Sequence, residues 1–227
     1  MDPENTMQAA KTRLLAAALP HVAFDGWSEA TFKAAITVSQ TAPGLARAIF
    51  PRGGLDLALA YHRQGDDDMR EALKTTDLAA VRFRDRIAAA IKLRLTPADR
   101  EIVRRGAALF ALPQHAGDGT KAIWGTADAI WTALGDTSND LNWYTKRASL
   151  SAVYGATVLY WLGDDSPDHQ ATWDFLDRRI ENVMSFEKAK AGFRENPLGK
   201  ALLAGPLKVL ARLHAPKGRH DLPGSTH

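Results

Sequence analysis

The chain has 227 residues, 24% of them charged, with a formal net charge of +3 and no cysteine. That length supports one domain, or a small module joined to a larger one, around a sizeable core, and the missing cysteine excludes a disulfide scaffold, a thiolate metal site and a cysteine nucleophile while fitting a reducing compartment. No apolar run approaches the ~20 residues of a membrane span, and the acidic start MDPENTMQ lacks a secretory or presequence character, so a soluble chain without a targeting segment is expected.

No sustained strand alternation occurs, and helix punctuation recurs at short intervals, so the expected class is all-α. Residues 7–23 form the first helix, with Leu14, Leu15, Ala18, Leu19 and Val22 inward and Pro20 as a bend or interruption. Ser28 then caps a short helix carrying Phe32, Ala35 and Ile36. A second short helix follows Thr41, with Pro43 in its first turn and Leu45, Ile49 and Phe50 inward, ending at Pro51-Arg52-Gly53-Gly54. Three short helices with tight turns over residues 1–54 resemble a helix-turn-helix module.

A longer helix over 55–64 leads out of that module towards Met69 and Leu73, with Asp66-Asp67-Asp68 read as a solvated turn. Residues 78–95 carry Val81, Ile87, Ile91 and Leu95 on one face, and Arg82, Arg84, Arg86, Lys92 and Arg94 on a solvated one. Thr96-Pro97 starts a helix to about 112, and 113–118 are a loop. In 119–134, Ile123, Trp124, Ala127, Ile130, Trp131 and Leu134 share one helical face.

Residues 136–162 read as one helix with two unlike apolar stripes. Leu141, Ala148, Ala152, Gly155, Ala156 and Leu159 form a small-residue stripe expected to pack on neighbouring helices. Trp143, Leu150, Tyr154 and Trp161 form an aromatic stripe that needs a cavity, a partner or more core. Ser166-Pro167 starts a further helix with Trp173, Leu176, Ile180, Val183 and Met184 at helical spacing.

The end of the chain is basic: residues 186–227 hold eight Lys/Arg against three Asp/Glu, leaving 21 against 23, a net of −2, for 1–185. After Asn196-Pro197, a helical projection puts Leu198, Leu202, Leu203, Leu207, Leu210 and Leu213 on one half of the wheel and Lys200, Lys208 and Arg212 on the other. This cationic amphipathic helix, kinked at Gly205-Pro206, suits an anionic membrane surface; packing back on the body is the alternative.

Enzyme signatures are missing. There is no Glu-x-x-His or His-Glu-x-x-His pair, phosphate loop, dinucleotide fingerprint or nucleophile elbow, and the histidines lack partners at ligand spacing, so neither a metal nor any other cofactor is expected. The second helix of the helix-turn-helix, PGLARAIF, offers only Arg47 with Arg52 just beyond, too little charge for phosphate contacts. DNA binding is therefore expected to be lost, and nucleic acid is not a predicted partner. Trp143, beside Tyr144, Lys146 and Arg147, reads equally as interface or core.

Residues 136–184, DTSNDLNWYTKRASLSAVYGATVLYWLGDDSPDHQATWDFLDRRIENVM, resemble the signature region of the COQ9 family of ubiquinone-biosynthesis proteins, and FPRGGLDLALAYHRQGDDDM over 50–69 is similar to that family's N-terminal motif. The resemblance implies a fold like that of TetR regulators: a degenerate helix-turn-helix module over 1–54, a helical lipid-binding domain over 55–188 and a membrane-touching tail over 189–227. It implies no enzymatic activity. It also implies a demethoxyubiquinone-like isoprenoid lipid or a phospholipid as ligand, presentation of that lipid to a COQ7-type di-iron hydroxylase, and a partner patch at Asp140, Trp143, Tyr144 and Arg147. Stripe geometry adds Trp124, Ile130, Trp131, Tyr154, Val158 and Trp161 as cavity lining. A bacterial member, cytoplasmic and peripheral to the inner membrane, with a homodimer as a candidate assembly, is the expectation. The rival reading is a TetR-like transcriptional regulator sensing a small apolar ligand.

Overall fold

A computed structural model describes residues 3–139 and 141–195; Asp140 and the whole tail helix, Leu198 to Leu213 included, lie outside them, as does the Met184 side chain. Among the described residues the chain is helical, with α1 (Pro3–Asp25), α2 (Glu29–Ser39), α3 (Pro43–Ile49), α4 (Gly54–Thr75), α5 (Phe83–Leu95), α6 (Arg100–Phe110), α7 (Ala116–Ala133), α8 (Leu141–Leu162) and α9 (Gln170–Glu195), and no strand.

Local chemistry sets most of these boundaries. The Ser28 side chain accepts from the Thr31 amide and opens α2. Pro20 neither bends α1 into two nor ends it: the ring sits on the exposed face, while Leu14, Ala18 and Val22, each fully buried, hold the turns on either side. α6 starts three residues later than Thr96-Pro97 suggests, because the Asp99 carboxylate accepts from the amides of Glu101 and Ile102, while Thr96 closes α5. α5 in turn begins at Phe83, since residues 78–81 form a turn whose Ala79 and Val81 carbonyls accept from Arg86. α8 begins at Leu141 because Asp136 gathers Ser138, Lys146 and Arg147 around a non-helical connection. Asp164 and Ser166 together cap the start of α9, at Thr172 and Ala171.

Two apolar clusters share α4. The first joins Leu14, Val22, Trp27, Phe32, Phe50 and Leu57 with Ile102 of α6. Gly54 is required at their centre, because a Cβ there would stand 2.5 Å from the Trp27 carbonyl oxygen. In α3, Ala46 takes the inward position and Leu45 is exposed. The second cluster joins Met69 and Leu73 of α4 with Ile87, Ile91 and Leu95 of α5, Ala127 and Ile130 of α7, Leu150 and Tyr154 of α8, and Leu176 and Ile180 of α9.

The two stripes of α8 divide unlike the sequence expectation. Leu150, Tyr154 and Trp161 are buried together with Val153 and Thr157, whereas Ala148, Ala152 and Leu159 are exposed and Leu141, Gly155 and Ala156 half-buried. Half of the small-residue stripe thus faces outward, while Leu141, Ala156 and Gly155, the last against Ile123 of α7, keep partial contact with the body. A buried aromatic removes 150–250 Å² of surface from water and an alanine far less, so burying the aromatic side stabilises more.

Candidate functional site: a cavity with a polar floor

α4, α6, α7 and α8 enclose a cavity of about 350 Å³. Its walls are Trp27, Ile102, Val103, Phe110, Ile123 and Val158, with small residues Gly106, Gly119 and Gly155 leaving the volume open. The lining residues that reach solvent are Ala111, Ala116, Thr120 and Leu159, so the mouth lies where the end of α6 and the start of α7 face the C-terminal half of α8. Leu112 and Leu159, 44% and 69% exposed, give that rim an apolar character.

Part of the lining is polar. His62 of α4, Arg94 of α5 and Tyr154 of α8 line the cavity. Arg94 donates from Nε to Asp66 Oδ1 at 2.8 Å and from Nη2 to the His62 carbonyl at 3.0 Å. The Thr126 hydroxyl donates to both Asp66 oxygens, at 2.9 and 3.1 Å, and His62 Nε2 sits 2.8 Å from Thr126 Oγ1 and 3.1 Å from the Ala122 carbonyl. Burial pulls the His62 imidazole below its ordinary pKa against the opposing charge of Asp66, and burial pushes the Tyr154 phenol up. A neutral His62 that donates from Nε2 to the Ala122 carbonyl keeps Nδ1 as an acceptor.

Asp66 corrects the reading of its triplet as a solvated turn. Asp66, Asp67 and Asp68 lie inside continuous α4, where Asp66 is 7% exposed and its neighbours point to solvent. Arg94, assigned from sequence to a solvated face, is 5% exposed. Gly65 makes the pair possible, since a Cβ at that position would overlap the Arg94 guanidinium. The i,i+4 spacing of His62 and Asp66 is the sequence signal that could have pointed here; the partner at position 94 had none. Among the described residues no group of three or more His, Cys, Asp or Glu side chains could hold a metal ion.

Sequence placed six residues on a cavity wall, and the structure distributes them. Tyr154 and Val158 line the cavity described above. Trp131 lines a second groove of about 530 Å³ between α5, α8 and α9, together with Phe83, Ile87, Leu150 and Ile180. Ile130 and Trp161 are core, at 0% and 2% exposure, and Trp124 packs its ring 6.0 Å from that of Trp143.

Around the first turns of α8, Trp143 and Tyr144 make an edge-to-face pair at 4.8 Å, both half-buried. Arg147 is 2% exposed and lies under them: it pairs with Asp128 at 2.5 Å and with Asp136 at 2.9 Å, and its guanidinium stacks 4.1 Å below the Trp143 ring. Arg147 is therefore a positioning residue for Trp143 and not a surface contact. Burial alone would raise the Asp136 carboxyl, but hydrogen bonds from Lys146, Arg147 and Ser138 outweigh it and hold that carboxyl well below the usual carboxylate range. In the helix-turn-helix, Arg47 pairs with Glu29 over the Phe32 ring, and Arg52 pairs with Asp56 and Asp118.

The COQ9 family model matches residues 116–187, the span of α7, α8 and the first two-thirds of α9. The Xenopus tropicalis protein named ubiquinone biosynthesis protein COQ9, mitochondrial, is 32% identical over 185 residues, covering 76% of this chain and 57% of its own length. The human protein of the same name is 30% identical over 203 residues, covering 85% and 63%. The chain thus spans about three-fifths of the length of these curated relatives. Among solved structures, a TetR transcriptional regulator from Nitrosomonas europaea superposes with a TM-score of 0.61 at 16% identity, over 75% of this chain and 95% of the regulator. The fold is all-α and TetR-like.

Proposed function

The chain is a relative of the COQ9 ubiquinone biosynthesis proteins, with residues 116–187 belonging to the COQ9 family, and from that premise we propose that it is a non-enzymatic accessory protein of ubiquinone biosynthesis. It holds an isoprenoid quinone precursor, a demethoxyubiquinone-like lipid, in the cavity between α4, α6, α7 and α8, and presents it to a COQ7-type di-iron hydroxylase at a membrane surface. The observation that carries this reading is the coincidence of the family-matched helices α7 and α8 with the wall of an apolar cavity whose rim exposes Leu112 and Leu159.

Two further features fit. Trp143 and Tyr144, fixed from beneath by Arg147, form a preorganised aromatic pair of the kind that anchors protein partners. The cationic tail from Leu198 to Leu213 supplies the charge and apolar face of a membrane contact. Among the described residues no helix is long and apolar enough to cross a membrane.

Organic extraction and native mass spectrometry of the purified chain test the cavity: a co-purified isoprenoid is expected, and a chain that neither carries nor takes up isoprenoid quinones refutes the carrier role. Trp143→Ala is expected to weaken capture of the hydroxylase while leaving the thermal midpoint within a few degrees. Undiminished capture removes Trp143 from the interface. A regulator reading has the fold likeness in its favour, but the internal pairing of Arg47 and Arg52 takes up the cations a DNA-reading helix needs. A gel shift at moderate salt discriminates the two.

A further inference from the structure

The groove between α5, α8 and α9 is open to solvent along one wall. Phe83 and Trp131 stack there with ring centroids 5.4 Å apart, and Phe83 is 42% exposed. Ile87, Leu150, Ile180 and Val183 complete an apolar lining around about 530 Å³. An apolar surface of this shape suits an amphipathic helix that presents aliphatic side chains at i, i+4 and i+7.

The chain carries that pattern a short distance away. α9 supplies Ile180 and Val183 to the wall and ends at Glu195, about 18 Å beyond Val183 at a helical rise of 1.5 Å per residue. Asn196 precedes a proline, which disfavours continuing the helix through it. Leu203, Leu207 and Leu210, outside the described residues, have the i, i+4, i+7 spacing. A helix returning along α9 from Leu198 brings Leu210 about 18 Å back, level with Val183, and Leu213 about 22 Å back, level with Ile180. So short a connection gives the tail a high effective concentration at its own groove, which favours it over a second copy or a free partner.

Resting on the membrane role read for the tail, we propose that residues 198–213 seat in the groove of their own chain in solution and transfer to an anionic surface. Charge sets the direction of the exchange. Beside the groove, Arg84 pairs with Glu181 and Asp85, and Lys146 pairs with Asp136, so these groups have no charge to spare for the tail. Lys200, Lys208 and Arg212, on the other half of the wheel, stay in solvent when the leucines are seated. An anionic bilayer covers the same leucines and also attracts each of those cations, whereas a neutral bilayer lacks that addition. The groove shares the first turns of α8, at Asn142, Thr145 and Lys146, with Trp143 and Tyr144. The seated tail therefore flanks the proposed partner pair, and membrane contact frees that flank.

The chain has no cysteine, so an introduced pair reports alone. On the full chain, Ser149→Cys in the groove with Leu210→Cys in the tail should give a monomeric cross-link with a short bismaleimide. Its yield should be roughly fivefold above that of a control pair, Val38→Cys with Leu210→Cys, Val38 being 61% exposed on α2. Vesicles of equal phosphatidylglycerol and phosphatidylcholine should suppress the cross-link by roughly fivefold, and vesicles of phosphatidylcholine alone should not. Ser149→Trp, which fills the groove, should bind the anionic vesicles about threefold more tightly than the parent chain in flotation, because the competing seat is gone. A cross-link no stronger than the control overturns the seating, as does one joining two chains, which assigns the groove to a second copy. A cross-link unaffected by anionic vesicles that bind the chain overturns the exchange, as does equal or weaker vesicle binding by Ser149→Trp. Failure of the full chain to bind anionic vesicles at all refutes the membrane reading itself, and the cross-link without vesicles still decides the seating.

Discussion

Removing the Arg94 side chain is the sharpest test of the polar floor as a structural element. Arg94→Met keeps the aliphatic stem but leaves the Asp66 carboxylate, 7% exposed, with only the Thr126 hydroxyl and a neutral His62 for company. Breaking a buried pair in this way costs about 3–5 kcal/mol, because the remaining charge stays desolvated. For a chain of this size that corresponds to a fall in thermal midpoint of roughly 6–20 °C, at about 2–4 °C per kcal/mol. Asp66→Leu should cost a comparable amount for the opposite reason, leaving the guanidinium alone. The double variant should be less destabilised than the sum of the two by at least 2 kcal/mol, read from urea unfolding of all four proteins in a double-mutant cycle. A coupling energy below about 0.5 kcal/mol, in the range of independent sites, would refute the ion pair as the organising contact of the floor.

Further outcomes follow from the same geometry. Because the folded-state pKa of His62 is depressed, the unfolded chain binds a proton that the folded chain does not between that value and about 6.5. Stability should be complete above pH 6.5 and decline as pH falls below it, and His62→Gln should flatten that slope in urea titrations at pH 7.5 and 5.5; an unchanged slope would refute burial as the cause. Arg147→Met should cost about 1.5–3 kcal/mol by removing one of the two cations on Asp136, whose side chain is 3% exposed and which keeps Lys146 and Ser138. The depressed Asp136 carboxyl contributes stability above the ordinary carboxylate pKa of about 4 and loses it as pH falls towards its folded value, so the variant should also lose part of its acid-limb slope in thermal melts between pH 5 and 3. Melts identical to those of the parent chain would remove Arg147 as the support of Trp143.

Much of the scaffold is written in local sequence. The caps at Ser28 and Asp99 act over two or three residues, and the apolar spacing of 123–134 lies on one face whatever surrounds it. Where two local signals competed, the structure shows which prevailed: Asp99 offered a carboxylate to two free amides, and Thr96-Pro97 offered a favourable φ without that bond. The site was less legible. Of the six residues proposed for a cavity wall, two share the cavity with the polar floor, because periodicity identifies an apolar face without saying what lies opposite it.

The sequence by itself determined the helical class, the order of the helices and the signature stretch over 136–184, since each rests on contacts within about a turn of chain or on a motif read directly. Which stripe of α8 faced inward, and which of the Asp66, Asp67 and Asp68 carboxylates entered the core, was decided only by the tertiary structure. Both choices turn on partners far along the chain. Asp66 is buried because Arg94, 28 residues on, and Thr126, 60 residues on, come to meet it. In α8 both stripes were apolar, and the larger area of Leu150, Tyr154 and Trp161 carried them to the core while Ala148 and Ala152 stayed outside.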